Sequence, residues 1–492
     1  MYDIAIVGAG VIGAFIAREL SRYDLRVVLI EKDGDVANGI TKANTAIIHS
    51  GYNPRVGTLK ARLNRMANPM FERLCEDLDV PFKRIGSLLI AFDDEGMEKV
   101  IDRYERGLIN NIKDIRILSK DQILELEPLI STNVIGGLYA PSTGIIGPWE
   151  LTIALVENAV QNGVNLKLES RVKAITNMGE CYEIATVKER IRSRYIINCA
   201  GLFADEINNM VSSPSFKICP KRGEYFVLDK SGGNLLKHVI FQAQKKSIKG
   251  VNVLPTIDGN LLVGPSGDEI DDKTDLRTTM EQLHIIRENA KWTSKMIPFD
   301  ETIKTFAGLR PKLELYNKNL ETGEIEVDDS FGDFIIEESK DAKGFINVAG
   351  IKSPGLTASP AIAQHVINII KDIMGELRPR PMFNPVRERI IRFRDLKDED
   401  KEALIQKDPR YGNVVCRCQR ITEGEIVDSI HRKVGATTVD GVKKRVGTTM
   451  GRCQGSFCEL KIMKILAREL KKDIKDIRKN EHGSYIIPHE TK

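Results

Sequence analysis

The residues of this 492-residue chain whose types and spacing could do chemistry are three glycines near the start, Gly8, Gly10 and Gly13, and four cysteines near the end, in two local pairs. The glycines follow the apolar run Ile4-Ala5-Ile6-Val7. An amphipathic segment from Val11 to Arg22 then leads to a second apolar run, Arg26 to Ile30, closed by Glu31. That order predicts strand, tight turn, helix, strand. Gly8 permits the turn, Gly10 lets the backbone approach a pyrophosphate, and Gly13 lets helix and strand pack closely, so that the helix N-terminus faces the phosphates. Glu31 can accept hydrogen bonds from both ribose hydroxyls and would repel a 2′-phosphate, so the chain opens on a dinucleotide site. Among the cysteines, Cys416 and Cys418 are separated by one residue and Cys453 and Cys458 by four, with 34 residues between the pairs. Four thiolates in two pairs can hold zinc or an iron–sulfur cluster, and disulfides are a third reading that a reducing compartment disfavours. Zinc sites favour gaps of about two to four residues within a pair, and the single-residue gap leans away from that. Cys75, Cys181, Cys199 and Cys219 lie in apolar or mixed surroundings and read as buried, inert thiols.

The elements that must hold these groups are spread over a long chain, for which length alone suggests about three domains. With 42% apolar and 29% charged residues and a net charge of +4, the composition is that of an ordinary soluble protein. No interleaved basic and aromatic stretch points to nucleic acid. No basic-then-apolar leader and no apolar run of about 18 residues is present, which argues against secretion and membrane spanning and makes a cytoplasmic location the expectation. After Glu31 the spacing predicts a polar loop to Pro54, a helix from Thr58 to about Asp79, and short strands SLLIAF, DIRIL and GGLYA between Phe82 and Ala140. A helix from Trp149 to Gln161 and a strand ending on Ala200-Gly201 follow. Strand-like runs from Phe216 to Arg310 are interrupted by a helix from Asp275 to Ser294, and the turn Ile351 to Gly355 opens a helix from Leu356 to Met374. The six arginines from Arg378 to Arg394 alternate with prolines and apolar residues, which suits an arm packed along its own protein better than a membrane or nucleic-acid site.

One three-glycine pattern is present, whereas a chain carrying both a flavin and a nicotinamide would usually need two, so the dinucleotide is read as resident and the second redox partner as lying elsewhere. GAGVIG with Glu31, the loop NTAIIHSGY, the strand end IINCAGLFAD, the segment TFAGLRP and the late GIKSPGLTASPAIA resemble the D-amino-acid-oxidase-type FAD-dependent oxidoreductases over nearly all of residues 1–375. The resemblance implies an α/β chain with a discontinuous Rossmann-like FAD-binding domain (1–80, 141–212 and 340–375) and an α+β substrate domain with a mostly antiparallel sheet (81–140 and 213–339). A linker arm (376–410), a small helical iron–sulfur domain (411–475) and a tail (476–492) complete the expected layout. It implies cofactor contacts from Gly8, Ala9, Gly10, Val11, Ile12, Gly13, Glu31, Lys32, Thr41, Asn44, Thr45, Val172, Ala200, Gly201, Gly350, Lys352, Gly355, Leu356 and Thr357.

Within that superfamily, PSTGII, KRGEY, TIDGNLLVGP and IHSGY are similar to the L-2-hydroxyglutarate oxidases, although Asn252 stands where those enzymes commonly carry a histidine. Lys352 in the late turn is similar to the lysine of the anaerobic or type 2 glycerol-3-phosphate dehydrogenases, with different flanking residues. Pro354 suits a first helical turn, and the helix end with Lys352 would stabilise the anion formed on flavin reduction. Arg310 is the natural anion clamp, for carboxylate or phosphate alike. His49 could take the hydroxyl proton or merely position the flavin; Lys352 or water could be the base instead.

VVCRCQRITEGEI and MGRCQGSFCELKIMKIL resemble the bacterioferritin-associated-ferredoxin-like [2Fe-2S] domain, which implies a cluster on Cys416, Cys418, Cys453 and Cys458, with Gly451 and Gly455 offering N–H groups to its sulfurs. Together these resemblances imply an FAD-dependent dehydrogenase for a small anionic secondary alcohol, sn-glycerol 3-phosphate before L-2-hydroxyglutarate or an amine. A flavin and iron–sulfur electron-transfer subunit without its own substrate is the alternative of another class. They also imply an electron-accepting flavoprotein or iron–sulfur subunit as partner in a hetero-oligomer, membrane contact only through that partner, and no nucleic acid.

Overall fold

A computed structural model describes residues 1–243, 250–318, 325–328, 332–487 and 489. The N-terminal motif forms as its glycines require, with a strand Tyr2–Val7, a helix Val11–Leu20 and a strand Val27–Ile30 paired in parallel with the first. Asn165–Lys167 adds in parallel beyond the second strand, and Arg190–Asn198 lies in parallel on the other side of the first. Phe345–Ala349 continues the parallel sheet beyond Asn198, and the antiparallel strand Ile335–Glu338 closes that edge. Tyr182–Thr186 pairs antiparallel with the first half of Arg190–Asn198, and Val172–Asn177 pairs antiparallel with Tyr182–Thr186 beyond it. Strands buried on both faces read as continuous apolar runs, which is why Ile4 to Val7 and Val27 to Ile30 show no alternation.

Helices Val11–Leu20, Pro148–Gln161 and Gly355–Met374 cover the sheet, their apolar faces joining one core with Phe15, Leu20, Leu155 and Ile362. Pro360 sits inside the last helix and cannot donate to the carbonyl of Leu356; Ser359 Oγ makes that bond instead at 2.7 Å. Pro354 precedes the first helical residue rather than occupying the first turn.

Among the described residues the second sheet has ten strands and is built on the long antiparallel pair Phe216–Leu228 and Thr302–Lys318, with Lys221 opposite Arg310 and Gly223 opposite Gly308. Two expected helices are shorter than their periodicity suggested. Asn68-Pro69-Met70 forms a 3-10 turn that divides Leu59–Ala67 from Phe71–Leu78, because Pro69 has no N–H to give. The helix expected from Asp275 begins only at Met280. Thr279 caps it, while Asp275 is drawn aside by Arg222 and Arg277, both at 2.9 Å.

The arm after Gly375 is fastened to the body. Arg380 donates to the carbonyls of Ser21, Tyr23 and Leu25, Arg387 to the Glu157 carboxylate, and Arg392 to Asp79. Beyond it a small helical unit packs its own core around Ile426, Val442, Ile462 and Leu466. Among the described residues no helix is long and apolar enough to cross a membrane.

Candidate active site and thiol cradle

The nucleotide cradle is built from backbone. Gly8 has φ +106°, and a Cβ there would lie 2.4 Å from the Cys199 carbonyl oxygen, while a Cβ on Gly13 would meet the Gly8 carbonyl oxygen at 2.0 Å. A Cβ on Gly10 would approach nothing but Thr41 Oγ1 at 3.3 Å, so the outer face of the turn is open to a ligand. Helix Val11–Leu20 starts without a side-chain cap on its first turn, although Thr41 Oγ1 accepts from Val11 N–H at 3.0 Å. Glu31 accepts from Ala9 N–H at 2.8 Å and from Asp33 N–H at 3.0 Å, and burial pushes its carboxyl up to about 7, with Asp33 adding to the shift. An open phosphate turn and a carboxylate with unused lone pairs fit FAD.

The other expected cofactor residues fall into two groups. Asn44 braces the loop, donating to Thr41 O at 2.9 Å and accepting from Ala46 N–H at 2.7 Å, with Thr45 half-buried between. Val172 begins a strand; the strand expected to end on Ala200-Gly201 stops at Asn198, and Ala200-Gly201 follows it beside Gly8 as the start of a 3-10 turn, with φ +60° at Gly201. Gly350, at φ +67°, packs on Leu313; Ile12 and Leu356 pack partly buried against the core between the sheet and its helices. Lys32 points elsewhere, pairing with Asp33 at 3.0 Å and lying over the Phe203 ring.

His49 is held from every side. Its N–H donates to Thr357 Oγ1 at 2.8 Å, and its carbonyl accepts from Asn64 and Asn68 Nδ2 at 3.1 and 3.0 Å. Its ring stacks on Phe241 at 6.0 Å, and Nε2 lies 3.4 Å from Ser353 Oγ. Burial first, and then the Arg310 guanidinium, lower its pKa to about 4, so the ring is neutral and able to accept a proton at neutral pH. Arg310 follows Gly308 on the same strand face. Gly308 lets Ala43 approach, since a Cβ there would lie 2.1 Å from the Ala43 carbonyl oxygen. Arg310 is half-buried and has no hydrogen-bond or ion-pair partner among the described residues. Lys352 is lowered by burial and then by Lys312, Lys221 and Arg310, and Lys60, also buried, is lowered to about 8 by burial and Lys352. The structure thus brings His49, Arg310, Lys352 and Thr357 together beneath the Gly355 helix end in a field of positive charge.

Sequence reasoning missed Asn64, Asn68, Phe241 and Ser353 around His49. Two asparagines four residues apart on a buried helix face were a readable signal, because buried amides need partners. Phe241 and Ser353 lie in ordinary apolar and turn text and carry no such mark.

The four cysteines converge. Cys416 and Cys418 sulfurs lie 3.9 Å apart, Cys418 and Cys453 sulfurs 3.8 Å, and Cys416 shares a hydrogen bond with Cys458. Among the described residues no His, Cys, Asp or Glu group closes around a single ion. Cys458 also lies close enough to Cys453 and Cys418 to feel their charge, so the four sulfurs form a compact group of a size that suits a binuclear cluster. Gly451 contributes by its missing side chain, since a Cβ would lie 2.4 Å from Cys418 Sγ. The backbone N–H groups facing Cys416 belong to Thr449 and Gln419 rather than to the two expected glycines. The capping box of Thr422 and Glu425 starts the following helix.

Residues 3–369 match the family model "FAD dependent oxidoreductase", and residues 414–468 match "BFD-like [2Fe-2S] binding domain". The chain belongs to the FAD-dependent oxidoreductase family. It is an α/β oxidoreductase that uses FAD and a [2Fe-2S] cluster. It is 52% identical to a glycerol 3-phosphate dehydrogenase of Caloramator mitchellensis, over 100% of this chain and 99% of that one. It is 31% identical to the glycerol 3-phosphate oxidase of Mycoplasma pneumoniae, over 78% and 97% of the two chains. The dithionite-reduced, FAD-bound structure of L-alpha-glycerophosphate oxidase from Mycoplasma pneumoniae superposes with a TM-score of 0.70 at 30% identity, covering 78% of this chain and 98% of that one. The L-2-hydroxyglutarate dehydrogenase of Escherichia coli is 32% identical over 54% of this chain and 64% of its own.

Proposed function

We propose that this oxidoreductase is a dehydrogenase that converts sn-glycerol 3-phosphate to dihydroxyacetone phosphate and passes the electrons to a separate acceptor subunit. The observation that carries the reading is Arg310, a half-buried guanidinium without a partner among the described residues and close to a neutral histidine. Burying a cation without a counter-ion is costly, and a bound anion removes that cost. Lys352 adds a second cation near Arg310, which favours a phosphate dianion over a single carboxylate, while Lys312 and Lys221 behind it are paired with Glu269 and Glu314. The full-length relative, a glycerol 3-phosphate dehydrogenase, and the glycerol 3-phosphate oxidase support phosphate over the partly matching hydroxyglutarate enzyme.

When bound, FAD supplies a two-electron acceptor for hydride, and the [2Fe-2S] cluster supplies a one-electron relay. In this proposal the Gly8–Gly13 turn and Glu31 hold the dinucleotide, and Val172, Gly201 and Thr357 complete its site. Arg310, aided by Lys352, binds the phosphate bidentately and fixes the carbinol carbon. His49 takes the hydroxyl proton at Nε2 as the C–H bond breaks, and Thr357, Asn64 and Asn68 hold its backbone so the ring keeps its aim. The four cysteines hold the cluster. The acceptor is a flavoprotein or iron–sulfur subunit, the compartment the cytoplasm, and any membrane contact comes through that subunit.

Anaerobic mixing of the purified holoprotein with sn-glycerol 3-phosphate tests this. The flavin absorbance should bleach within the dead time of manual mixing. Bleaching by L-2-hydroxyglutarate and not by glycerol 3-phosphate would overturn the substrate, and bleaching by neither would leave the chain an electron relay.

A further inference from the structure

The thiol cradle is unevenly covered. Cys416 and Cys458 are each 1% exposed, whereas Cys418 is exposed and Cys453 half-buried, so one edge of the four-sulfur group lies at the surface. Beside that edge Phe457, between two of the cysteines, is 75% exposed, and Leu460 on the next turn is 52% exposed. A large aromatic side chain left in water forgoes the burial that folding or a partner would give it. Arg417 and Arg420 flank Cys418, and Lys461 and Lys464 lie on the solvated face of helix Glu459–Leu470. All four are exposed, and none has a side-chain partner among the described residues. The carboxylates nearby are already engaged, Glu459 by Lys479 and Glu423 by Arg468 at 2.7 Å. Arg452, also exposed, is taken by Asp229 at 2.7 Å.

We propose that this face is the docking surface for an acidic electron-carrier protein, with Phe457 and Leu460 as its dry centre and Arg417, Arg420, Lys461 and Lys464 as its basic rim. Charge complementarity selects the partner, because an apolar centre ringed by uncompensated cations repels basic carriers and steers acidic ones. The exposed Cys418 edge identifies the partner as a redox protein, since it brings the carrier's centre within contact distance of the cluster. The two electrons of one substrate leave in two passages, each oxidising the cluster by one electron and reducing the carrier by one, with no proton moved. This inference rests on electron exit through the cluster and not on the choice of substrate.

The test is binding, which requires no substrate. The holoprotein, its cluster content verified by visible absorption, is titrated calorimetrically with an acidic flavodoxin, an acidic plant-type ferredoxin and, as a basic control, cytochrome c. At least one acidic carrier should bind, with affinity falling about tenfold or more as salt is raised through the screening range. R417E/R420E should weaken that binding about tenfold or more, and F457A should weaken it while leaving the salt dependence unchanged. K461E/K464E leaves both cysteine loops untouched and should weaken it similarly, which carries the test if the arginine variant loses its cluster. Absence of binding by both acidic carriers, tighter binding of cytochrome c, or unchanged affinity in K461E/K464E would overturn the proposal. Flavin bleaching by glycerol 3-phosphate is read separately and is unaffected by any of these outcomes.

Discussion

Two arginines define how this molecule separates holding from working. Arg445, on helix Val439–Val446 of the small C-terminal unit, is fully buried, and each of its five N–H groups has an acceptor: both Asp35 oxygens, the Val434 carbonyl twice and the Gly441 carbonyl. Asp35 belongs to the nucleotide loop, as do Val36 and Asn38, which receive Lys444. Ala37 of that loop donates to the Ala9 carbonyl. The iron–sulfur unit therefore grips the loop that lies beneath the FAD cradle. Arg310 is equally cationic and partly buried, yet nothing among the described residues answers it. A cation with every donor filled fixes two bodies together; a cation with none filled waits for a ligand.

Breaking the filled site should have the largest effect on the fold and little on the reaction. Arg445→Met leaves Asp35 with Lys444 alone at 2.9 Å and should cost about 3 kcal/mol, seen as a lower denaturation midpoint and faster proteolysis in the 376–410 arm, with KM for substrate unchanged. Arg445 and Lys444 hold the Asp35 carboxyl well below its ordinary 3.8. A lowered folded-state pKa gives stability that is complete above about 4 and is lost as pH falls further, so the wild-type clamp should be insensitive to pH between about 5 and 8.

The nucleotide site offers a pH dependence of the same sense but close to neutrality, because its carboxyl is shifted up rather than down. Glu31 is pushed up to about 7 without ligand, and ribose hydroxyls that donate to its ionised form lower it again. FAD binding therefore releases a proton, and affinity for the apoprotein should rise about tenfold between pH 6 and 8. Glu31→Gln should bind FAD more weakly at pH 8 and lose that slope, as followed by flavin fluorescence quenching. The smallest effect lies behind His49. Thr357→Val removes the 2.8 Å acceptor of the His49 N–H, and a loss of about 1 kcal/mol should appear as a roughly fivefold lower kcat per bound flavin, with flavin content measured for each preparation.

The same contrast explains what was legible in the sequence. The FAD cradle and the thiol cradle could be read because their constraints are local. Gly8, Gly10 and Gly13 are needed by one turn, and the cysteines by spacing within two short loops. Arg310 could be found because it follows Gly308 in a segment that carries a family resemblance. The grip of Arg445 on Asp35 could not, since 410 residues separate the two and neither sits in a motif. The supports of His49 were lost for the same reason: Phe241 and Ser353 come from distant strands and turns that only the fold brings together. The docking rim was also silent, because Arg417, Lys461 and Phe457 become informative only when their exposure and lack of partners are known.

In the proposed function, Arg310 has no partner among the described residues because its partner is the substrate's phosphate. The most direct measurement is kcat/KM of wild type and Arg310→Leu for sn-glycerol 3-phosphate and for glycerol, which has the same reacting alcohol and no phosphate. Loss of a charge-assisted bidentate contact of about 3 kcal/mol predicts roughly 100-fold lower kcat/KM for glycerol 3-phosphate and no change in the slow turnover of glycerol. An equal fall for both compounds, or no fall for either, would contradict it.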